Sequence, residues 1–469
     1  MGSVSIKRRI DATEGPIFSK MVYFVIPLML TNLIQQLYTV ADNLVVGKFS
    51  PSAAALGAIG SSSAIVAFLT ALFASFSVGT AAVVSHDFGA RDSASMEKDV
   101  HTSMILSFIV GLSVGVIGFA FARPILVALN TKPEFIDLAV VYLQIRCIGM
   151  PFVSLYNIGA ATLRSVGDSK SPLYILTLSG LVNVILNLVF VLCFGMAADG
   201  VALATLASQV LSVVFVYMLL IKRTNEPYAV KLSSLKIDKT TAKRILKFAI
   251  PGAIQGSVAH VMNVFLASAA NVFDPEVIEA RTIASNIDTM LSTVLATYVN
   301  VSITFTGQNK GAKKPDRIKK SLFMAVAQGC AIALVFGQLI LHLRAPLISL
   351  FVNEELYNVD AITGYASTIM GIILTSYVIT GVSNALGGFI KGLGYALPNM
   401  VVSLVDMGIV RAIWIFGIFP SIQTLEFLYL IYPVSWALSS VSYIAISLVV
   451  WKKYKKKIEA EKASATEAA

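Results

Sequence analysis

Eight stretches of this 469-residue chain contain no Lys, Arg, Asp or Glu: 49–85, 171–198, 201–221, 248–273, 289–309, 321–343, 361–390 and 427–450. Each is near or above the roughly 20 residues that cross a hydrocarbon core as a helix. Backbone in lipid must satisfy its own hydrogen bonds, and helices do so within each segment. With the less clean segments, twelve spans are expected, at about 20–47, 53–85, 100–122, 136–164, 171–195, 200–221, 244–272, 277–308, 318–343, 359–391, 395–419 and 424–451. The expected fold class is an all-α integral membrane protein. Only 13% of the residues are charged, about half the fraction of a soluble domain. The first apolar segment lacks a short hydrophobic region with a small-residue cleavage site, so it reads as a retained span rather than a signal peptide.

The net charge of +10 could suit nucleic acid, but its distribution argues against that partner. With the N-terminus in the cytoplasm and twelve alternations, 29 Lys and Arg fall inside and 5 outside: Lys48, Arg123, Lys132, Arg281 and Arg344. Arg146 and Arg411 are intramembrane. This asymmetry places both termini in the cytoplasm of a cell-membrane protein. The basic tail after Trp451 then meets anionic lipid headgroups. Cys147, Cys193 and Cys330 lie in apolar segments and form no disulfide or metal pattern. No phosphate-binding loop or Ser–His–Asp arrangement is evident, so neither an ATP-powered pump nor an enzyme is expected. No cofactor is expected either.

Between Lys20 and Lys48 the only charged side chain is Asp42. A charge at membrane depth costs roughly 2.5 kcal/mol or more, and such residues mark ion pathways or proton relays. Stepping back by four, three and four residues gives Tyr38, Gln35 and Thr31, a polar stripe on one helical face. Lipid cannot satisfy such a stripe, so it should line a cavity. The alternative is structural pairing with another helix.

The chain also repeats itself. Ile26–Pro27 matches Ile250–Pro251 and Phe49 with Pro51 matches Phe273 with Pro275, both at an offset of 224. Gly89–Ala90 matches Gly311–Ala312 at 222, Arg164 with Gly167 matches Lys391 with Gly394 at 227, and Pro172 matches Pro398 at 226. Five pairs in order imply two six-helix lobes of the same orientation, pseudo-symmetric about an axis along the membrane normal, with a cavity between them. The expected organisation is an N-terminal segment at 1–19, lobes at 20–221 and 244–451, a basic cytoplasmic linker at 222–243 and a tail at 452–469.

These residues resemble the multidrug and toxic compound extrusion (MATE) family over about residues 15–450. The resemblance is carried by Pro27, Asp42 and Val46–Gly47, by the run from Ser85 to Ala90, and by Arg164 to Asp168 with Pro172. Gly200 to Thr205 and Gly307 to Ala312 complete it. It implies a V-shaped cavity and export of organic, often cationic, small molecules in exchange for protons or sodium ions, by a monomer. It also implies a cation site on Asp42, Asn183, Asn187 and Thr205. The sequence agrees independently. Asn183 and Asn187 share a helical face, and all four lie roughly 8–18 Å from the outer helix ends at 1.5 Å per residue. The alternative is a polar cluster that glues helices together.

Some family members carry a second carboxylate where this chain has Asn187. A proton needs only one carboxylate whose charged form is costly, so proton coupling is favoured over sodium. Candidate cavity residues are Gln35, Tyr38, Asn157, Gln255, Met262, Asn286 and Asp288. His260 and Asn263 are further polar groups in the seventh span. The sequence names no partner for Arg146, and the five-residue spacing of Asp406 and Arg411 puts them on different faces. A lipid-precursor flippase is the alternative within transport, but it should hold a cluster of cavity cations. A receptor or scaffold gives no reason for Asp42 or for the duplication.

Overall fold

The computed structural model describes residues 9–50, 52, 54–349 and 358–467. Lys7 and Arg8 of the charge count, Pro51 of the repeat and the first residue of the span expected at 53–85 lie outside these. No strand occurs among the described residues. In chain order the helices are α1 (Ile17–Phe49), α2 (Ala54–Gly89), α3 (Ser93–Ala120), α4 (Ala122–Ala128), α5 (Pro133–Ile148), α6 (Met150–Ser165), α7 (Lys170–Leu188), α8 (Ala198–Lys222) and α9 (Lys239–Ala269). They continue with α10 (Pro275–Gly311), α11 (Pro315–His342), α12 (Arg344–Ser349), α13 (Val359–Gly392), α14 (Leu397–Val402), α15 (Val410–Ala412), α16 (Phe419–Ile422), α17 (Leu425–Tyr429) and α18 (Ile431–Glu467).

Among the described residues eleven segments are long and apolar enough to cross a membrane, and α5 with α6 makes a twelfth, bent by 41°. That bend falls where Pro151 removes a backbone donor from the second residue of α6. The span at 397–422 joins α14, α15 and α16 through π-helical stretches at Ser403–Ile409 and Ile413–Ile418. Large apolar side chains such as Phe108, Val116, Phe194, Phe323, Val335, Phe416, Val441 and Leu448 stand exposed on the helices. Apolar exposure on this scale does not suit water and does suit hydrocarbon. The helix at the C-terminus runs well past the expected end of its span, to Glu467. Its Lys and Glu are good helix formers, and Lys455–Glu459 and Lys457–Glu461 pair at i,i+4.

The chain divides into two compact units. One comprises Ile26–Ala253 with the N-terminal residues up to Asp11, and the other Ala12–Val25 with the chain from Ile254 onward. Thus α1 and α9 each change unit beside a proline, Pro27 or Pro251. Within the first unit the start of α9 is held by Arg244, which donates to Asp87 at 3.1 Å and stands 3.6 Å from the fully buried Asp99. Within the second, Gln308 Oε1 accepts from Ala12 N at 2.8 Å and Asn309 Nδ2 donates to Ala12 O at 3.2 Å. Asp87, Gln308 and Asn309 belong to the two motif runs that the sequence repeat aligns, which form the ends of α2 and α10.

The turns carry the same duplication. Arg91 and Lys313 have φ of 57° and 54°, and Gly167 and Gly394 have φ of 86° and 101°. Glycine is required at 167 on two counts. Its φ lies in the left-handed region, and a Cβ there would stand 2.1 Å from Ile10 O.

Residues 222–243 are part of the first unit and make contacts within it. Tyr228 is fully buried between the guanidinium groups of Arg9 and Arg223, 5.4 and 5.8 Å from its ring centre. Arg223 donates to Asp168 Oδ2 at 2.7 Å, and Lys231 N donates to His101 Nε2 at 3.1 Å.

Candidate functional site

In the first unit, α1, α7 and α8 bring Asp42, Asn183, Asn187 and Thr205 together. Asn187 Nδ2 donates to Asp42 Oδ1 at 2.5 Å and lies 3.4 Å from Asn183 Oδ1. Asn183 Nδ2 reaches Thr205 Oγ1 at 3.5 Å. Thr205 Oγ1 donates to Val201 O at 2.9 Å and stands 3.5 Å from Asp42 Oδ2. The two asparagines are buried and Asp42 is half-buried, so the carboxylate forms the more open side of the cluster.

The two carboxylate oxygens are not equivalent. Oδ1 has a short amide donor, whereas Oδ2 has only the hydroxyl at 3.5 Å. A carboxylate at membrane depth with one under-satisfied oxygen is suited to take a proton or a cation there. Hard cations take oxygen ligands, and Asn183 Oδ1 and Thr205 Oγ1 are the nearest neutral candidates. Asn187 turns its amide nitrogen to Asp42, and its Oδ1 has no donor. No group of three or more His, Cys, Asp or Glu that could hold a metal occurs among the described residues.

Tyr38 does not hang free in the stripe. Its hydroxyl donates to the carbonyls of Leu176 and Thr177 at 2.9 and 3.2 Å, which ties α1 to α7. The close approach needs a glycine at 180, where a Cβ would stand 1.6 Å from the tyrosine ring. Thr31 is buried and donates to Pro27 O at 2.7 Å. Gln35 is exposed. Asn157 is half-buried and donates to Val153 O of its own helix at 2.9 Å.

Arg146 was without a partner in the sequence. The structure puts it on α5 within electrostatic reach of Asp42, with no ion pair formed and its buried Nε without an acceptor. Tyr142, one turn earlier on α5, feels both charges.

In the second unit, Asp288 on α10 accepts a hydrogen bond from the Tyr377 hydroxyl on α13. The buried Arg411 acts on Asp288, donates to Ser435 Oγ at 3.1 Å and lies 4.8 Å from the Tyr432 ring centre. Asp406 is buried and faces Ser439 and Ser442 instead of Arg411. Met262 is buried, whereas Asn286, His260 and Asn263 are exposed. Gln255 accepts from Lys391 Nζ at 3.0 Å on the wall of a small cavity. Sequence reasoning missed Tyr377 and Lys391. A tyrosine in an apolar helix gives no sign of its partner, and Lys391 was counted as an ordinary inner-loop cation.

The MatE family model matches residues 27–189 and 260–416. A Bacillus subtilis protein named Probable multidrug resistance protein YpnP is 26% identical over 401 residues, which are 86% of this chain and 88% of that protein. Multidrug export protein MepA of Staphylococcus aureus is 22% identical over 445 residues, 93% of this chain and 94% of its own. A crystal structure of a MATE protein in the bent conformation gives a TM-score of 0.86 at 20% identity, covering 96% of this chain and 99% of that one.

Proposed function

The chain belongs to the MATE family, and we propose that it is a secondary multidrug exporter of the cell membrane, driven by an ion that binds at Asp42. The carrying observation is the carboxylate itself. It is held at membrane depth by α7 and α8, with Oδ2 short of donors. Binding a cation there neutralises the carboxylate and changes what α7 and α8 must satisfy. An ion drives a conformational change only through different affinities for the two states. In alternating access those states differ in the packing of α1, whose Pro27 is a natural bend. The substrates are organic small molecules, the protein acts as a monomer in lipid, and it carries out transport rather than catalysis.

Protons are the favoured coupling ion. Asn187 presents a nitrogen to Asp42, which leaves a sodium ion few oxygens besides the carboxylate. A proton needs only Oδ2. The flippase reading is weakened because Arg411 is engaged with Asp288 and Tyr432, and Arg146 lies within electrostatic reach of Asp42. The test is dye efflux from reconstituted vesicles under separately imposed gradients. A pH gradient without sodium should drive efflux, and a sodium gradient at equal pH should not. Efflux on sodium alone would reverse the assignment, and efflux on neither would remove the antiport reading.

The charge asymmetry puts both termini and residues 222–243 in the cytoplasm. Ser233 is exposed, so Ser233→Cys in a background without the native cysteines gives a clean reporter. It should resist an impermeant thiol reagent in intact cells and react after lysis, while Lys132→Cys should react in both. Labelling of the Ser233 variant in intact cells would invert the topology.

A further inference from the structure

The second unit contains a cavity of about 130 Å³, bounded among others by Gln255, Asn384, Lys391, Asn399, Trp436 and Tyr443. We propose that this cavity is a carboxylate subsite, which takes the acidic end of an organic acid against the Lys391 ammonium. The proposal deepens the transport reading by naming a substrate class that a purely cation-selective exporter would refuse.

Lys391 is only 9% exposed. Among the described residues its one hydrogen bond is to Gln255 Oε1 at 3.0 Å, and it makes no ion pair. An ammonium has three donors, so two remain for a ligand. A buried cation left without a counter-ion is costly, and oxygen pairs of a carboxylate are what such a group lacks. Lys313 of the same unit is, by contrast, answered at the surface by Glu461 at 2.9 Å. Asn399 is a second unanswered group. It is 1% exposed, its Nδ2 donates to Gly387 O at 3.2 Å, and its Oδ1 has no donor. A hydroxyl beside the carboxylate would supply that donor.

The volume decides how much of a substrate enters. Drug-sized pockets run from about 300 Å³ upwards, whereas a cavity of ~150 Å³ takes about one six-membered ring. The cavity therefore fits an acidic end group, with Trp436 and Met407 on its apolar wall. The sequence repeat makes the counterpart of Lys391 another cation, Arg164. That side chain is half-buried and likewise forms no ion pair among the described residues.

The probe is 3-hydroxy-2-naphthoate, titrated by calorimetry into the purified full-length protein, with 3-hydroxy-2-naphthamide as its uncharged match. The carboxylate should bind at least tenfold tighter than the amide. Lys391→Met should abolish that preference, and Lys391→Arg should keep it. Gln255→Glu keeps the side-chain size but gives the ammonium an internal counter-ion, so it should also abolish the preference. This variant decides the matter if Lys391→Met fails to fold. Equal affinity for acid and amide, or an undiminished preference in Lys391→Met or Gln255→Glu, would overturn the proposal. So would full displacement of the naphthoate by chloride at equal concentration, which would make this an inorganic anion site. Binding is read without any gradient, so a failure here leaves the Asp42 coupling reading standing, and the reverse also holds.

Discussion

Asp42→Asn should abolish gradient-driven efflux while the protein stays folded and present in the membrane. The size of the side chain is kept, and the new amide oxygen can still accept from Asn187 Nδ2, which now stands 2.5 Å from Oδ1. What is lost is the ability to change charge. A driving ion must move a two-state equilibrium, and a swing from 1:99 to 99:1 requires about 5.5 kcal/mol of differential binding. A neutral amide offers a proton no such difference, so efflux should fall to about 1% of wild type or less, the scale of the minor state. Stability should move the other way. Removing a charge at membrane depth relieves roughly 2.5 kcal/mol of cost, partly offset by losing the attraction of Arg146. The thermal midpoint in detergent should therefore be equal to or above wild type. Efflux at the wild-type rate under a pH gradient would remove Asp42 from the coupling mechanism. A loss of efflux accompanied by a collapsed thermal midpoint would make its role structural.

The architecture was legible because lipid imposes one strong rule on the sequence. Charge-free stretches of the required length read as spans, and the expected span 136–164 became the bent α5–α6 pair. Pro151 was visible there, but whether a proline bends a span or breaks it depends on how the freed backbone is satisfied. The duplication was equally plain. Its five matched positions fall on prolines, glycines and turn residues, which backbone geometry constrains more tightly than side-chain chemistry does. The left-handed turns at Gly167 and Gly394 illustrate this.

Partnerships between helices were less legible. Spacing put Asn183 and Asn187 on one face, and helix ends put Asp42 and Thr205 at a similar depth, so their approach could be anticipated. Nothing in the sequence linked Arg146 to Asp42 or Arg411 to Asp288, because each pair joins helices whose rotation is set by packing alone. The five-residue separation of Asp406 and Arg411 was read on α-helical geometry. The intervening stretch is partly π-helical, and the two side chains still find different neighbours. Lys391 was hidden for another reason. A lysine at the end of a span is usually solvated, and only the folded unit shows it turned inward onto Gln255.

Asn187→Asp should convert the site to sodium. The present amide nitrogen lies 2.5 Å from Asp42 Oδ1, so the substitution brings a second carboxylate within contact distance of the first. Two carboxylates that close cannot both stay ionised without a cation between them: they share a proton or they hold a metal ion. Sodium would then find four carboxylate oxygens with Asn183 Oδ1 and Thr205 Oγ1 nearby, where wild type offers two. A unit charge added about 4 Å from a cation is worth roughly 4 kcal/mol at an effective dielectric of 20. Even a third of that is about tenfold in affinity. Efflux driven by a sodium gradient at equal pH, which the proton reading expects to be absent in wild type, should therefore appear in the variant, with its apparent sodium affinity raised at least tenfold. Efflux driven by a pH gradient in the absence of sodium should weaken, because the shared proton is harder to release. If neither ion's effect changes, Asn187 does not face the coupling ion, and the site lies elsewhere on Asp42. If sodium already drives the wild-type protein and a pH gradient does not, the single carboxylate is a sodium ligand and the proton assignment fails.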